Sequence, residues 1–286
     1  MNQQIINLFD EYTHQPLKRE VFIKRLVLLT GSLAAATAAL AQLEVKYDHA
    51  VTIAPQDDRI TTEYITYPSD EGVTMKGYFA KPKKEGKFGA VVVIHENRGL
   101  NPHIEDVTRR VALAGYLALG VDALSPFGGT PKDEEKARGL FGQLDAKKNL
   151  TNFMKAFDYL KARPDCNGKT GCVGFCWGGA MANQLAVNVP DLKAAVAYYG
   201  RQPEAADVPK IKAAVQLHYG GLDERVNAGI PAYEAALKSA GIPYELYVYE
   251  GANHAFNNDT APTRYNEAAA KLAWERTLKL FGERLK

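Results

Sequence analysis

The chain is poor in cysteine and has no concentration of basic residues. Only three cysteines occur in 286 residues, which is too few for a disulfide framework. The net charge is +2, and Lys, Arg, Asp and Glu are interspersed, so nucleic acid is not an expected partner. Internal repeats and low-complexity tracts are also missing. The remaining composition, 46% hydrophobic and 24% charged, predicts one large globular core.

Two of the cysteines, Cys166 and Cys172, flank the predicted turn at Asn167 and Gly168. They could form a disulfide if the protein is exported, because disulfides persist mainly outside reducing compartments. Cys172 falls on a predicted buried strand, where a thiol serves simply as a small apolar side chain. We predict that both are free thiols.

The chain lacks an apolar run long enough to span a membrane comfortably. Its best candidate, Leu26 to Ala41, is uncharged, follows basic residues at positions 18 to 25 and ends in small residues. This layout is typical of an export signal, and residues 18–24 resemble a twin-arginine signal with Lys18 in the first arginine position. We predict a signal-like segment at 1–41, a linker at 42–60, a globular domain at 61–286, and a periplasmic or exported location. The alternative is a cytoplasmic protein in which an Ala-rich N-terminal helix docks on the domain.

The stretch from Lys169 to Asn183 organises the rest of the chain. A β-branched run leads through Gly174, Cys176 and Gly178 directly into an Ala-rich segment with helical spacing. The pattern predicts a nucleophile elbow, a sharp strand-to-helix turn, with cysteine where serine usually stands. Glycines allow the strand and the helix to approach closely, and the strained turn exposes the side chain at its tip. Cys176 is therefore the candidate nucleophile.

Apolar runs and helical periodicities alternate along the chain. We predict strands at 61–67, 73–80, 89–94, 116–121, 194–199, 213–218 and 244–249, and helices at 104–114, 133–144, 150–160, 228–240 and 265–285. The first two strands form a hairpin at a sheet edge. In the helix at 150–160, Asn152, Lys155 and Asp158 are expected to face solvent. The alternation predicts an α/β fold with a mostly parallel central sheet and helices on both faces.

A thiol nucleophile needs a base and a carboxylate that orients the base. Asp223 follows a glycine pair after one predicted strand, and His254 follows the last strand. Both therefore belong to loops at the carboxyl ends of strands, where active sites of open α/β sheets lie. The order nucleophile, acid, histidine is that of α/β-hydrolases. We predict a triad of Cys176, His254 and Asp223.

The loop after the strand at 89–94 reads His95-Glu-Asn-Arg-Gly-Leu100. It stands where such folds supply one oxyanion donor, and we assign the oxyanion hole to the backbone N–H groups of Trp177 and Asn97. His95 is expected to pack beneath the loop. A metal site made of His95, Glu96, His103 and Glu105 fits no ligand spacing, and the scheme requires no metal and no cofactor.

The combined motifs resemble the dienelactone hydrolase family. The resemblance rests on Gly-Phe-Cys-Trp-Gly-Gly around Cys176, Glu96 after a buried strand, Gly-Gly-Leu-Asp ending at Asp223, and Ala-Asn-His-Ala-Phe around His254, and it covers about Thr61 to the C-terminus. It implies an α/β-hydrolase fold and opening of the enol-lactone ring of a dienelactone. It also implies that Glu96 holds the resting thiol and swings away when substrate enters.

The chain departs from this family at two positions. Family members often carry Ser directly after the histidine and, four residues after it, an Arg that binds the substrate carboxylate. Ala255 and Asn258 occupy these positions here. Either the substrate lacks that carboxylate, or Arg98, Arg138 or Arg264 approaches from elsewhere.

The expected partner is a small-molecule ester or lactone with a good leaving group, because a thiolate is expelled more readily than an ordinary alkoxide. Aromatic residues near strand ends, Tyr198, Tyr199 and Phe127, are candidate walls of a substrate pocket. Two other readings remain open: a non-catalytic protein that binds a small ligand on the same fold, and a thiol that senses oxidants.

Overall fold

The computed structural model describes residues 1–47 and 52–286. Most of these residues surround one eight-stranded sheet. The strands are β1 (Ile60–Pro68), β2 (Thr74–Pro82), β3 (Phe88–Ile94), β4 (Leu117–Asp122), β5 (Cys166–Phe175), β6 (Ala194–Tyr198), β7 (Ala214–Gly220) and β8 (Tyr244–Tyr249). The helices are α1 (Gln3–His14), α2 (Arg19–Thr30), α3 (Leu33–Leu43), α4 (Pro102–Leu113), α5 (Glu134–Phe141), α6 (Ala146–Lys161), α7 (Trp177–Asn188), α8 (Glu224–Asn227), α9 (Ile230–Ser239) and α10 (Glu267–Leu285).

The strand order is β1-β2-β4-β3-β5-β6-β7-β8. β2 runs antiparallel to both β1 and β4, and every pairing from β4 through β8 is parallel. The predicted edge hairpin and the mostly parallel sheet are therefore confirmed. Because parallel strands all end at one edge, the loops after β3, β5, β7 and β8 lie side by side there.

Helices cover both faces of the sheet, as the fold class predicts. Every residue of β3 is buried, and its side chains alternate between the two faces. Val92 and Ile94 belong to a core shared with α6, α7 and α9. Val91 and Val93 belong to a second core shared with α4 and α10. The continuous apolar run in the sequence reflects this burial on both sides.

The N-terminal residues fold into α1, α2 and α3, which build a small hydrophobic core of their own. α2 ends at Gly31, whose φ of 83° lies in the left-handed region, and the axes of α2 and α3 meet at 109°. Within the described residues, no single helix has the length and apolarity to cross a membrane. The alternative interpretation foresaw one Ala-rich docked helix, whereas the structure has three. The export signal, its end at residue 41 and the cellular location stay predictions.

Candidate active site

Cys176 lies between β5 and α7 with φ of 56° and ψ of −112°, a left-handed conformation that is strained for a residue with a side chain. A Cβ on Gly174 would lie 1.9 Å from the backbone oxygen of Gly178, and a Cβ on Gly178 would lie 2.3 Å from the backbone oxygen of Ile94. Only glycine fits at these two positions. The geometry is that of a nucleophile elbow.

His254 follows β8, and its Nδ1 lies 2.5 Å from Oδ2 of Asp223. Asp223 caps α8 and also accepts a hydrogen bond from the backbone N–H of Val226. Burial disfavours charge on the His254 ring, but the carboxylates of Asp10 and Asp223 outweigh it and hold the pKa of His254 well above its usual value. The pKa of Asp223 is lowered, because His254 outweighs the opposing effect of burial. Both shifts favour the charged forms of the pair, a carboxylate on Asp223 and an imidazolium on His254.

The thiol of Cys176 lies near His254 and His14, and no sequence pattern predicts His14 at this site. Nε2 of His14, the last residue of α1, is 3.0 Å from Sγ. One ring nitrogen each of His14 and His254 and the Cys176 sulfur all lie within 4.8 Å of one another. Nε2 of His254 is buried without a hydrogen-bond partner among the described residues.

The tautomer of His14 follows from its other ring nitrogen. Nδ1 lies 2.8 Å from the backbone oxygen of Asp10, which can only accept, so Nδ1 carries the hydrogen and Nε2 has a free lone pair. Burial, and then the charge of His254, lower the pKa of His14 well below its usual value, so the ring is neutral. The thiol of Cys176 therefore donates to Nε2 of His14.

Glu96 is buried beside the thiol but has other partners. Nδ2 of Asn258 donates to its Oε2 at 3.0 Å, and the hydroxyl of Tyr199 donates to its Oε1 at 3.4 Å. Burial opposes ionisation, but Arg98, His103 and Arg264 outweigh it and lower the pKa of Glu96. The resemblance implies that Glu96 holds the resting thiol, whereas in this structure His14 contacts the sulfur.

Trp177 directly follows Cys176, and Asn97 lines the same small cavity as the thiol, whereas the oxyanion assignment stays a prediction. Trp177 is the first residue of α7, so its backbone N–H has no intrahelical partner. The Asn97 side chain donates to the backbone oxygen of Thr13 at 2.7 Å.

His95 packs beneath the loop, as expected. Its Nε2 accepts a hydrogen bond from the backbone N–H of Ala123 at 3.1 Å. Its Nδ1 lies 2.6 Å from the backbone oxygen of Glu96, and its ring stacks on that of Trp177. Burial lowers its pKa.

Two of the three candidate arginines lie at the thiol. Arg98 and Arg264 are buried and line the same small cavity as Cys176 and His254. Nη1 of Arg264 lies 3.4 Å from Oδ1 of Asp10. Its Nε and Nη2 are buried without a hydrogen-bond partner among the described residues. Arg138 instead lies over the ring of Tyr12, 4.8 Å from its centroid.

The expected aromatic walls are only partly correct. Tyr199 lies at the site, with its ring centroid 5.0 Å from that of His254. The neighbouring residue Tyr198 points in a different direction, and its hydroxyl forms a hydrogen bond with the hydroxyl of Thr277 on α10. Phe127 is 41% exposed and lines a separate cavity of about 540 Å³. The structure places neither Tyr198 nor Phe127 in the cavity at the thiol, because proximity to a strand end does not determine which way a side chain points.

The structure also separates the four residues considered as metal ligands. His103 pairs with Asp259, and Glu105 accepts from the hydroxyl of Tyr64. The donor sets that do converge among the described residues are His14, Cys176 and His254, and Asp10, Asp223 and His254. Cys and His donors suit zinc, but both sets use His254, and one also uses Cys176.

All three cysteines are free and buried. Cys166 and Cys172 lie on the same strand, β5, which agrees with the prediction of free thiols. Burial raises the pKa of Cys172 to about 12.

The fold has an eight-stranded sheet with helices on both faces, a cysteine at the strand-to-helix elbow and a buried His–Asp pair. These features define an α/β-hydrolase. The profile of the dienelactone hydrolase family matches residues 75–285. The chain belongs to this family and is a hydrolase.

Named relatives agree with this assignment. The chain is 34% identical over 241 residues to an Escherichia coli K12 protein named "Putative carboxymethylenebutenolidase", an alignment that covers 79% of this chain and 88% of the relative. The crystal structure of a Klebsiella pneumoniae protein named "Putative Dienelactone Hydrolase" superposes with a TM-score of 0.69 at 29% identity, covering 78% of this chain and 98% of that one. A dienelactone hydrolase-like phosphotriesterase from metagenomic libraries gives a TM-score of 0.71 at 25% identity, covering 80% and 100%.

Proposed function

We propose that this protein hydrolyses activated esters or enol lactones, with Cys176 as nucleophile, His254 as general base and acid, and Asp223 as the carboxylate that orients His254. The observation that carries the proposal is the cysteine elbow, whose sulfur lies within 4.8 Å of a His254 ring nitrogen. The 2.5 Å contact between Nδ1 of His254 and Asp223 supports it, since it directs Nε2 away from the carboxylate.

The reaction proceeds in two halves. The thiolate of Cys176 attacks the acyl carbon while the thiol proton resides on His254, and the carbonyl oxygen becomes an oxyanion held by the backbone N–H groups of Trp177 and Asn97. The tetrahedral intermediate expels the enolate or aryloxide, which takes the proton from His254, and a thioester remains. Water then gives a proton to His254 and attacks the thioester, and the second intermediate releases the acid and the thiol.

Cysteine restricts the leaving group. In the first tetrahedral intermediate, the thiolate leaves more readily than a simple alkoxide, so an ordinary alkyl ester returns to starting material. An enolate or aryloxide competes with the thiolate, which favours enol lactones and aryl esters.

Arg264 supports a substrate that carries a carboxylate. Two of its guanidinium nitrogens are buried without a hydrogen-bond partner among the described residues, and such a fork matches a carboxylate in a bidentate pair. Arg98 lines the same cavity. Together they would replace the arginine that family members often carry where this chain has Asn258.

The oxidant-sensing alternative has weaker support. A sensor thiol usually condenses with a second cysteine, and both other cysteines are buried on β5. The ligand-binding alternative is distinguished from the hydrolase by measuring turnover, since a binding protein would show none.

The test is a panel of enol lactones and aryl esters, with and without a carboxylate, assayed against the wild type and Cys176→Ala. We expect turnover that depends on Cys176 and a thioester adduct visible by mass spectrometry after rapid quenching. Turnover that persists in Cys176→Ala would contradict the assignment. The proposed export is tested separately, since an intact N-terminus on protein from the native host would exclude cleavage near residue 41.

A further inference from the structure

The three N-terminal helices form a unit with its own core. Their buried apolar side chains pack on one another, and this cluster is distinct from the two cores that flank the sheet. Its members are Ile5, Ile6, Leu8, Phe9, Phe22, Leu26, Ala36 and Leu43. The match to the family profile begins only at residue 75, well after this unit.

Several contacts between the unit and the domain are polar. Nε2 of Gln3 donates to Oδ1 of Asn253 at 2.5 Å, and Arg19 pairs with Glu135 at 2.7 Å while both side chains are more than half exposed. Such contacts contribute little net free energy, because water replaces them when they separate. Because its apolar core is separate from the two large cores, the unit can leave the domain without opening either of them.

α1 nevertheless covers the thiol. The cavity shared by His14, Cys176 and His254 has a volume of about 10 Å³, and a single water needs roughly that much. An ester or lactone cannot reach Sγ while α1 remains in this position.

Three contacts of α1 use groups that the proposed hydrolysis needs. Asp10 places a carboxylate on Nη1 of Arg264, the same guanidinium whose Nε and Nη2 would bind a substrate carboxylate. The backbone oxygen of Thr13 accepts from the Asn97 side chain in the oxyanion loop. His14 accepts the thiol hydrogen that His254 would otherwise receive.

The charge on Asp10 has a second effect on the site. Asp10 and Asp223 together keep the pKa of His254 well above its usual value against the effect of burial. A higher pKa favours the protonated ring, and a protonated ring cannot accept the thiol proton. Among the described residues, the neutral His14, the Cys176 sulfur, the Tyr199 ring and the Glu96 carboxylate also lie around His254.

We propose that residues 3–43 are a built-in inhibitory segment, in which α1 occupies the substrate site as an internal ligand and must leave before hydrolysis begins. The inference rests on the proposed function for the meaning of the site. Its physical content, a thiol made inaccessible by α1, does not depend on which substrate is hydrolysed.

The first experiment measures access to Cys176 in the full chain. We expect slow alkylation of wild-type Cys176 by iodoacetamide, followed by peptide mass spectrometry, and acceleration by about tenfold or more in Asp10→Asn/His14→Ala, since reactivity scales with the open population. Gln4→Ala is the matched control, because Gln4 is an exposed residue of α1, and it should react like the wild type. Equal rates in wild type and double variant would overturn the proposal.

Hydrolysis of p-nitrophenyl acetate by the same proteins separates the two ideas. If alkylation and kcat/KM both increase in the double variant relative to the wild type, the result supports the inhibitory segment and the hydrolase function. Faster alkylation without turnover in any of them supports the inhibitory segment and contradicts the hydrolase. Turnover that is equal in wild type and double variant, or lost in a folded double variant, supports the hydrolase and overturns the inhibitory role.

A second variant guards against indirect effects of the substitutions. A protease recognition sequence inserted after Glu44, which is exposed and directly follows α3, allows the folded chain to be cut and the N-terminal segment removed by gel filtration. Turnover and alkylation should rise after cutting and stay unchanged in a chain with a scrambled recognition sequence. No increase after complete removal of the segment would contradict the proposal.

Discussion

Nδ2 of Asn258 donates to Oε2 of Glu96 at 3.0 Å, at the position where the family resemblance leads one to expect an arginine. The amide oxygen of Asn258 in turn accepts from the backbone N–H and the hydroxyl of Thr260. Asn258 thus ties Glu96 to the loop after His254. The charge that balances Glu96 comes from Arg98 and Arg264 instead.

Replacement of Asn258 tests this link. Asn258→Ala leaves a buried Glu96 oxygen without its amide donor, so we expect the free energy of unfolding to fall by about 1–3 kcal/mol. Urea denaturation measures the change. Asn188→Ala is the control, since Asn188 is exposed on α7, and it should stay within about 0.5 kcal/mol of the wild type. Equal effects would show that the contact with Glu96 is unimportant.

The triad assignment predicts a large loss of activity without a loss of fold. Asp223→Asn keeps the shape of the side chain but no longer stabilises the His254 imidazolium, so kcat/KM should fall by about 10²- to 10⁴-fold. The assay uses p-nitrophenyl acetate and a chain cut free of its N-terminal segment. Asp191→Asn, an exposed surface carboxylate, should leave the rate unchanged. A loss of less than about threefold would remove Asp223 from the mechanism.

Replacement of glycine by alanine should have opposite effects on stability at the elbow and on α10. Gly178→Ala would bring a Cβ to 2.3 Å from the backbone oxygen of Ile94, and we expect destabilisation by about 1–3 kcal/mol or more. Gly282→Ala on α10 meets no atom within 4 Å and should stabilise the helix by roughly 0.5–1 kcal/mol. Thermal unfolding of both variants gives the comparison. A tolerated alanine at position 178 would mean that the turn is looser than described.

His218 predicts a specific dependence of stability on pH. Burial, and then Arg276, lower the pKa of His218 to about 3, below the value of about 6.5 in an unfolded chain. Between these two values the unfolded state binds the extra proton, so the stability contributed by a neutral His218 is lost as the pH falls.

The measurement is urea denaturation of wild type and His218→Gln at two pH values. From about pH 7 to about pH 5, we expect the wild type to lose about 2 kcal/mol that the variant does not lose. The stability difference between the two proteins should therefore narrow on acidification. A constant difference would mean that His218 does not remain neutral in the folded protein.

Most of the sheet could be predicted from sequence, because strands and helices leave local periodic signals. The apolar run at β3 and the hairpin of β1 and β2 are examples. Predictions of side-chain direction were weaker. Asn152 was expected to face solvent but is buried, because the end of the hairpin lies over α6 and Ser69 donates to its side chain at 2.5 Å. Helical periodicity does not reveal which other element of the fold will pack over a polar residue of the helix.

In the candidate site, too, some residues could be predicted from local sequence signals and others could not. Cys176, Asp223 and His254 could be placed because each follows a predicted strand, and their chain order carries information. His14 and Arg264 could not, since neither follows a strand and each reaches the thiol only through tertiary contacts. The polar face of α1 resembles that of any surface helix, and nothing in its spacing indicates that it docks on the elbow.

The burial of Cys166 and Cys172 on β5 makes thiol titration a direct gauge of the active site. A coloured disulfide reagent added to the native protein should find no rapidly reacting sulfur when α1 is docked and one equivalent when it is displaced. Denaturant should then release all three thiols. The stoichiometry of a single colour reaction thus reports the fraction of molecules whose nucleophile is open.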